Sequence, residues 1–94
     1  MNRMDDNRII IDGSRIGSRE EFFEVLRQQV GADLLIGSNL DALYDVLTSL
    51  TVHTVIEIHD EAKLAAVLGD YWKKVLWMLN DCLDENENLE LETV

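Results

Sequence analysis

Two runs of β-branched residues constrain the fold of this chain more than any other feature. The first, Arg8-Ile9-Ile10-Ile11, is short and ends at Asp12-Gly13-Ser14, a turn signal. The second covers 51–59, Thr-Val-His-Thr-Val-Ile-Glu-Ile-His, and the long stretch before it carries helical periodicity rather than a hairpin turn. Strands joined through helical crossovers pair in parallel, with right-handed connections. The unbroken apolar character of residues 9–11 is that of a strand covered on both faces.

The helical segments announce their own ends. Ser18 with Glu21 three residues on is a capping box, opening a helix through about Gln29. Its apolar stripe is Phe22, Val25, Leu26 and either Gln29 or Val30, and Gly31 closes it. Residues 32–38 form a linker with an apolar centre, Leu34-Leu35-Ile36. Asn39 then reads as the N-cap of a helix over 39–50, which buries Leu40, Leu43, Leu47 and Leu50. Past the second strand, Asp60 caps a short helix over 61–68, with Leu64, Ala65 and Leu68 inward. Gly69 ends it, and Asp70 caps a longer helix over 71–84, with Trp72, Val75, Leu76, Leu79, Leu83 and Cys82 as inner positions. Residues 85–88 read as a polar turn, and 89–94 alternates with period two, as a third strand at a sheet edge does. The order β-α-α-β-α-α-β predicts an α/β fold, a three-stranded parallel sheet packed by about four helices, in one domain over 1–94.

Bulk properties narrow the function. The 94 residues carry 19 acids against 8 bases, a net charge of −11. That balance argues against binding a nucleic-acid backbone or an anionic membrane, and for a basic protein partner or plain solubility. Solubility explains the sign but not the clustering: residues 28–62 hold six acids with no Lys or Arg, and residues 75–94 hold six more with none. Arg3, Asp5 and Asp6 leave no apolar core for a signal peptide, and no run reaches the ~20 residues of a membrane helix. The cytoplasm is the expected compartment. A lone cysteine, Cys82, permits no internal disulfide and reads as a small buried hydrophobe.

Catalytic signatures are sparse. His53 and His59, six apart on a strand, would share a face about 20 Å apart and so cannot ligate one metal together. His59-Asp60-Glu61 is more readily a solvated strand end than a ligand cluster. Glu57, flanked by Ile56 and Ile58, lines a sheet edge, pairs with a histidine, or snorkels. The five glycines form no phosphate loop, there is no nucleophile elbow, and no cofactor, metal or small-molecule substrate is implied. The opposite face of the 39–50 helix is more informative. It groups Asp41, Tyr44, Asp45 and Thr48, and two carboxylates four residues apart repel by roughly 0.2–0.5 kcal/mol. Asp41 has a bland explanation, since it complements the helix dipole in the first turn; Asp45 lies a turn further in, where that explanation fades. Tyr44 is equally consistent with half-buried packing.

The string Gly37-Ser38-Asn39-Leu40-Asp41-Ala42-Leu43-Tyr44-Asp45 resembles the signature of the barstar family of intracellular ribonuclease inhibitors. Ile9-Ile10-Ile11-Asp12-Gly13 with Ile16 and Ser18 is similar to that family's opening strand, turn and first helix. Val55-Ile56-Glu57-Ile58 is similar to its second strand, and Val75-Leu76 with Asp81 falls in its last helix. The resemblance implies a barstar-like fold and an inhibitor that lays this helix and the loop before it, one to one, into the active site of a basic ribonuclease toxin. Asp45 would occupy the enzyme's phosphate site, with Asp41 as a second acidic contact and Tyr44 as the aromatic beside them. Asp81 would be a peripheral contact, and Gly37 and Asn39 would shape the loop and cap. Leu35, Ser38, Ala42 and Thr48 complete the implied toxin-binding set. Ahead of Gly37 this chain departs from the pattern, with Leu35 and Ile36 where aromatic residues are usual. An acidic module docking a basic non-nuclease partner is the alternative, and an enzyme built on Glu57 and the histidines is a third.

Overall fold

A computed structural model describes residues 7–94, so Arg3, Asp5 and Asp6 lie outside it. Three strands, β1 (Asn7–Asp12), β2 (Thr54–His59) and β3 (Leu89–Thr93), form one parallel sheet in the order β1-β2-β3. Ile9 lies opposite Ile56 and Ile11 opposite Ile58, while Ile56 faces Leu91 on the other side. With period-two alternation, Ile9, Ile11, Ile56, Ile58 and Leu89 all point to one buried face.

The opposite face carries Arg8, Ile10, Glu57, His59, Glu90 and Glu92, each exposed or half-buried. The sheet is therefore apolar on one side, not two, and Ile10 is the residue that the continuous isoleucine run disguised. Val55 is the buried exception on this polar face, flanked in register by Arg8 and Glu90. The free edge of β1 is blunted by a side chain: the Gln29 amide accepts from Ile10 N at 2.7 Å and donates to Ile10 O at 2.8 Å, standing in for a further strand.

Four helices cross between the strands: α1 (Arg19–Val30), α2 (Leu40–Thr48), α3 (Glu61–Leu68) and α4 (Asp70–Glu85). At the start of α1, Ser18 accepts from Glu21 N, and the Glu21 carboxylate reaches back to Gly17 N at 2.7 Å, one residue before the usual recipient. The two later caps differ from expectation. Asp60 adopts a left-handed backbone with φ 56 and its side chain makes no cap bond. Asp70 lies inside α4, and Gly69, with φ 60, takes the cap position because the reversal from α3 into α4 needs a positive φ that glycine adopts freely. The turn after β1 also requires a glycine, since a Cβ on Gly13 would lie 2.4 Å from Asp60 O.

The core joins Ile9, Ile11, Phe22, Phe23, Leu26, Leu43, Leu47, Ile56, Ile58, Leu64, Trp72, Val75, Leu79 and Cys82 in one cluster. Phe22 and Phe23 meet edge to face at 5.1 Å. Within α3, Leu64 is buried, Leu68 half-buried and Ala65 exposed. The segment 85–88 is more than a polar turn. Asn86 is buried and its amide donates to Leu47 O at 3.0 Å and Leu50 O at 2.9 Å. Leu47 O also accepts from Leu50 N at 3.4 Å and Leu50 O from the Asn88 amide at 3.4 Å, so Asn86 supplies the shorter bonds to the end of α2 and ties that helix to the end of α4.

Candidate functional site

The loop at 31–39 and the helix after it are built by local chemistry. Gly31, with φ 110, stops α1, and its carbonyl accepts from Leu34 N and Leu35 N, both at 3.1 Å. The tight turn that results drives the three apolar residues apart. Leu35 is sealed in the core at 0% exposure, while Leu34 and Ile36 stand 60% and 79% exposed. The Leu35 side chain thus anchors the loop in the core, and Ile36 presents the apolar surface beside it.

Arg27, on α1, holds the loop from behind. Its guanidinium donates to Leu35 O at 2.7 Å, Gly37 O at 3.3 Å and Ser38 Oγ at 3.0 Å, and pairs with Glu24 at 3.0 Å. Asn39 then caps α2, its Oδ1 accepting from Ala42 N at 2.8 Å. Gly37, two residues earlier, leaves that cap room: a Cβ there would lie 2.8 Å from Asn39 Nδ2 and would have to displace the capping side chain.

Along α2, Leu43, Val46 and Leu47 are buried, with Leu40 and Leu50 half-buried at the ends. Val46 widens the expected stripe, since the helix packs against α4 as well as the core. Asp41, Asp45 and Ser49 are exposed; Ala42, Tyr44 and Thr48 are half-buried. Among the described residues, neither Asp41 nor Asp45 has an ion-pair partner. Thr48 is occupied locally, its hydroxyl donating to Tyr44 O at 2.7 Å.

Tyr44 links α2 to α4. Desolvation, followed by the nearby negative charges of Glu85, Asp81 and Asp45, pushes its phenol above the ordinary value of 10.0. Asp81 and Glu85 of α4 are thus near enough for their charges to bear on Tyr44, a proximity of Glu85 that the helical pattern gave no means of seeing. Beside Asp45 runs an open cleft of about 390 Å³, walled by Leu34, Ile36, Ala42, Val46 and Leu50. The surface is a braced helix with exposed carboxylates, an aliphatic rim and a half-buried tyrosine.

The family model described as Barstar (barnase inhibitor) matches residues 7–93, nearly the whole chain. The chain belongs to the barstar family. No individually curated protein matches it. Its family is one of inhibitors rather than catalysts.

Other titratable groups of this barstar-family protein are used in bracing. Glu57 sits in the central strand, not at an edge, where it accepts from His59 Nε2 at 2.9 Å and from Arg8, whose guanidinium also reaches Glu92 at 3.5 Å. Those bonds, first from His59 and then from Arg8, hold its carboxyl below the ordinary 4.5. A carboxylate stabilised as an anion is a poor proton acceptor, so pairing is the reading of Glu57 that the structure selects. His53 meets Glu90 on β3, so the two histidines serve different carboxylates. Burial, helped by Asp81, pushes the Cys82 thiol up to about 12, and it lies 3.5 Å from Met78 Sδ. That is an inert thiol. No helix among the described residues is long and apolar enough to cross a membrane.

Proposed function

We propose that this protein is a cytoplasmic immunity protein that binds a basic ribonuclease toxin one to one and occludes its active site with α2 and the loop before it. One observation carries the reading. Among the described residues, Asp41 and Asp45 stand exposed and without an ion-pair partner, on a helix whose far side is fixed by Asn86 and the core. Carboxylates held in place without counter-charges can enter a cationic phosphate site with little ordering cost. Asp45 takes the phosphate position, Asp41 and Tyr44 flank it, and Asp81 with Glu85 extends the acidic surface across α4. Gly37, Ser38, Asn39, Ala42 and Thr48 supply the backbone and close-packed floor.

The rim differs in kind from an aromatic one. Leu34 and Ile36 offer aliphatic surface where a stacking ring would meet a catalytic histidine, so the cognate nuclease presents an apolar side chain beside its basic cleft.

Binding by occlusion needs no turnover, metal or cofactor. Titrating a candidate cognate ribonuclease with the protein should abolish RNA cleavage near one equivalent, with or without EDTA. Residual cleavage at large excess, or a chelator effect, would contradict the proposal.

A further inference from the structure

Leu34, Leu35 and Ile36 are three aliphatic side chains in a row, and of these only Leu35 is in the core. Leucine and isoleucine side chains are isomers, and the burial of apolar surface is non-directional. Hydrophobicity alone therefore does not choose which of the three goes in. Hydrogen bonds do. Gly31 O accepts from Leu34 N and Leu35 N, which fixes the first half of the turn. Arg27 fixes the second half, donating to Leu35 O at 2.7 Å and to Gly37 O at 3.3 Å, the carbonyls on either side of Ile36. Ile36, between two carbonyls drawn toward α1, is left on the outside.

The guanidinium that makes this choice has little left to offer a partner. Only 18% of the Arg27 side chain is exposed. Four of its five N–H groups are taken, by Leu35 O, Gly37 O, Ser38 Oγ and Glu24. Glu24 also offsets its charge on the spot. An ammonium is a single point of charge and does not span the same acceptors, so lysine is not its equivalent here.

We infer that Arg27 is a positioning residue for recognition of the nuclease: it holds the loop in the register that buries Leu35 and presents Ile36. What the loop meets rests on the function proposed above; the choice of register is a property of the free protein. A loop divided between two registers binds with an affinity reduced by the fraction in the competent one. Charge alone predicts the opposite sign. Removing a cation from a chain of net −11 strengthens its attraction to a basic partner. One variant thus separates positioning from electrostatics.

The register is tested without a partner. Cys82, the one native cysteine, is buried with its thiol pushed up to about 12, so a thiol introduced by Leu35→Cys is the reporter. It should resist alkylation while Arg27 is present. Adding Arg27→Met should speed labelling at least about ten-fold beyond Leu64→Ala, a control that weakens the fold from the core side of α3. Recognition is tested by calorimetric titration of the ribonuclease inhibited in the assay above. Arg27→Met should bind it at least about five-fold more weakly, Arg27→Lys should lose less, and Leu64→Ala should bind as the parent does. The losses from Arg27→Met and Ile36→Ala should not add, because the first acts through the second. Labelling no faster in Arg27→Met than in Leu64→Ala overturns the inference whatever the partner. Normal binding by Arg27→Met, or losses that add, overturns the recognition role. A parent that inhibits no ribonuclease removes the proposed function and that role with it, while labelling still decides the register.

Discussion

Arg27 and Glu57 show how single side chains of this protein do their work through neighbours. The planar fork of Arg27 satisfies two backbone carbonyls and a hydroxyl in the loop that leads into α2. Arg27→Ala leaves the Leu35 and Gly37 carbonyls without that donor, and should cost about 1–3 kcal/mol of stability in chemical melts. Amide exchange at 34–38 should quicken at the same time; unchanged exchange there would mean that the loop holds its shape unaided. Glu57 predicts a pH dependence with a definite sign. Its folded carboxyl titrates below its ordinary 4.5, as Asp12, bonded by Ser14, titrates below 3.8. Each therefore contributes stability that is present above its ordinary value and is lost as pH falls through the lowered folded value. The urea midpoint should drop between about pH 5 and about pH 3, and Glu57→Gln should flatten that drop. An equally steep fall in the variant would place the acid sensitivity elsewhere.

Elements were legible in the sequence to the extent that their signals are local. The strand runs, the Ser18 and Asn39 caps and the glycine stops all appear where their chemistry demands. What escaped notice is long-range. Val46 falls outside the single stripe of α2 because that helix is covered by α4 as well as by the core, which periodicity cannot show. Asp60 and Asp70 have the right side chains for caps, yet the positive φ values at Asp60 and Gly69 take the cap geometry away from them. Asn86, in a segment that reads as a solvated turn, is buried with its amide donating to two carbonyls at the end of α2, a long-range contact that no local pattern announces. The acidic face of α2 was visible from spacing, but Glu85 joins it only through the packing of α4. Asn86→Ala should lower stability by about 1–3 kcal/mol and accelerate exchange at 46–50, through loss of a buried donor. A variant as stable as its parent would mean that water or Asn88 serves those carbonyls equally well.

For the molecule as a whole, the charge and the fold point the same way. Acidic residues gather on α2 and the C-terminal half of α4, and few positive charges are near to offset them. On the proposed function, a −11 protein would be steered toward a cationic cleft from beyond contact distance, and a braced helix would meet that cleft with little reordering. The same carboxylates repel each other mildly in the free protein, so a surface built for binding is a small burden on folding. Leu43, fully buried on the other side of α2, is the natural control, since Leu43→Ala should cost ~2–5 kcal/mol of stability by opening a cavity. The central claim, that the carboxylates of α2 serve a partner rather than the fold, is tested most directly by calorimetric titration of the nuclease with Asp45→Ala, its urea melt run alongside. Binding should weaken by at least ~2 kcal/mol, while the melt stays unchanged or moves slightly up as repulsion with Asp41 is removed and the best helix former put in. An Asp45→Ala protein that binds normally but unfolds early would make this carboxylate structural and contradict the account.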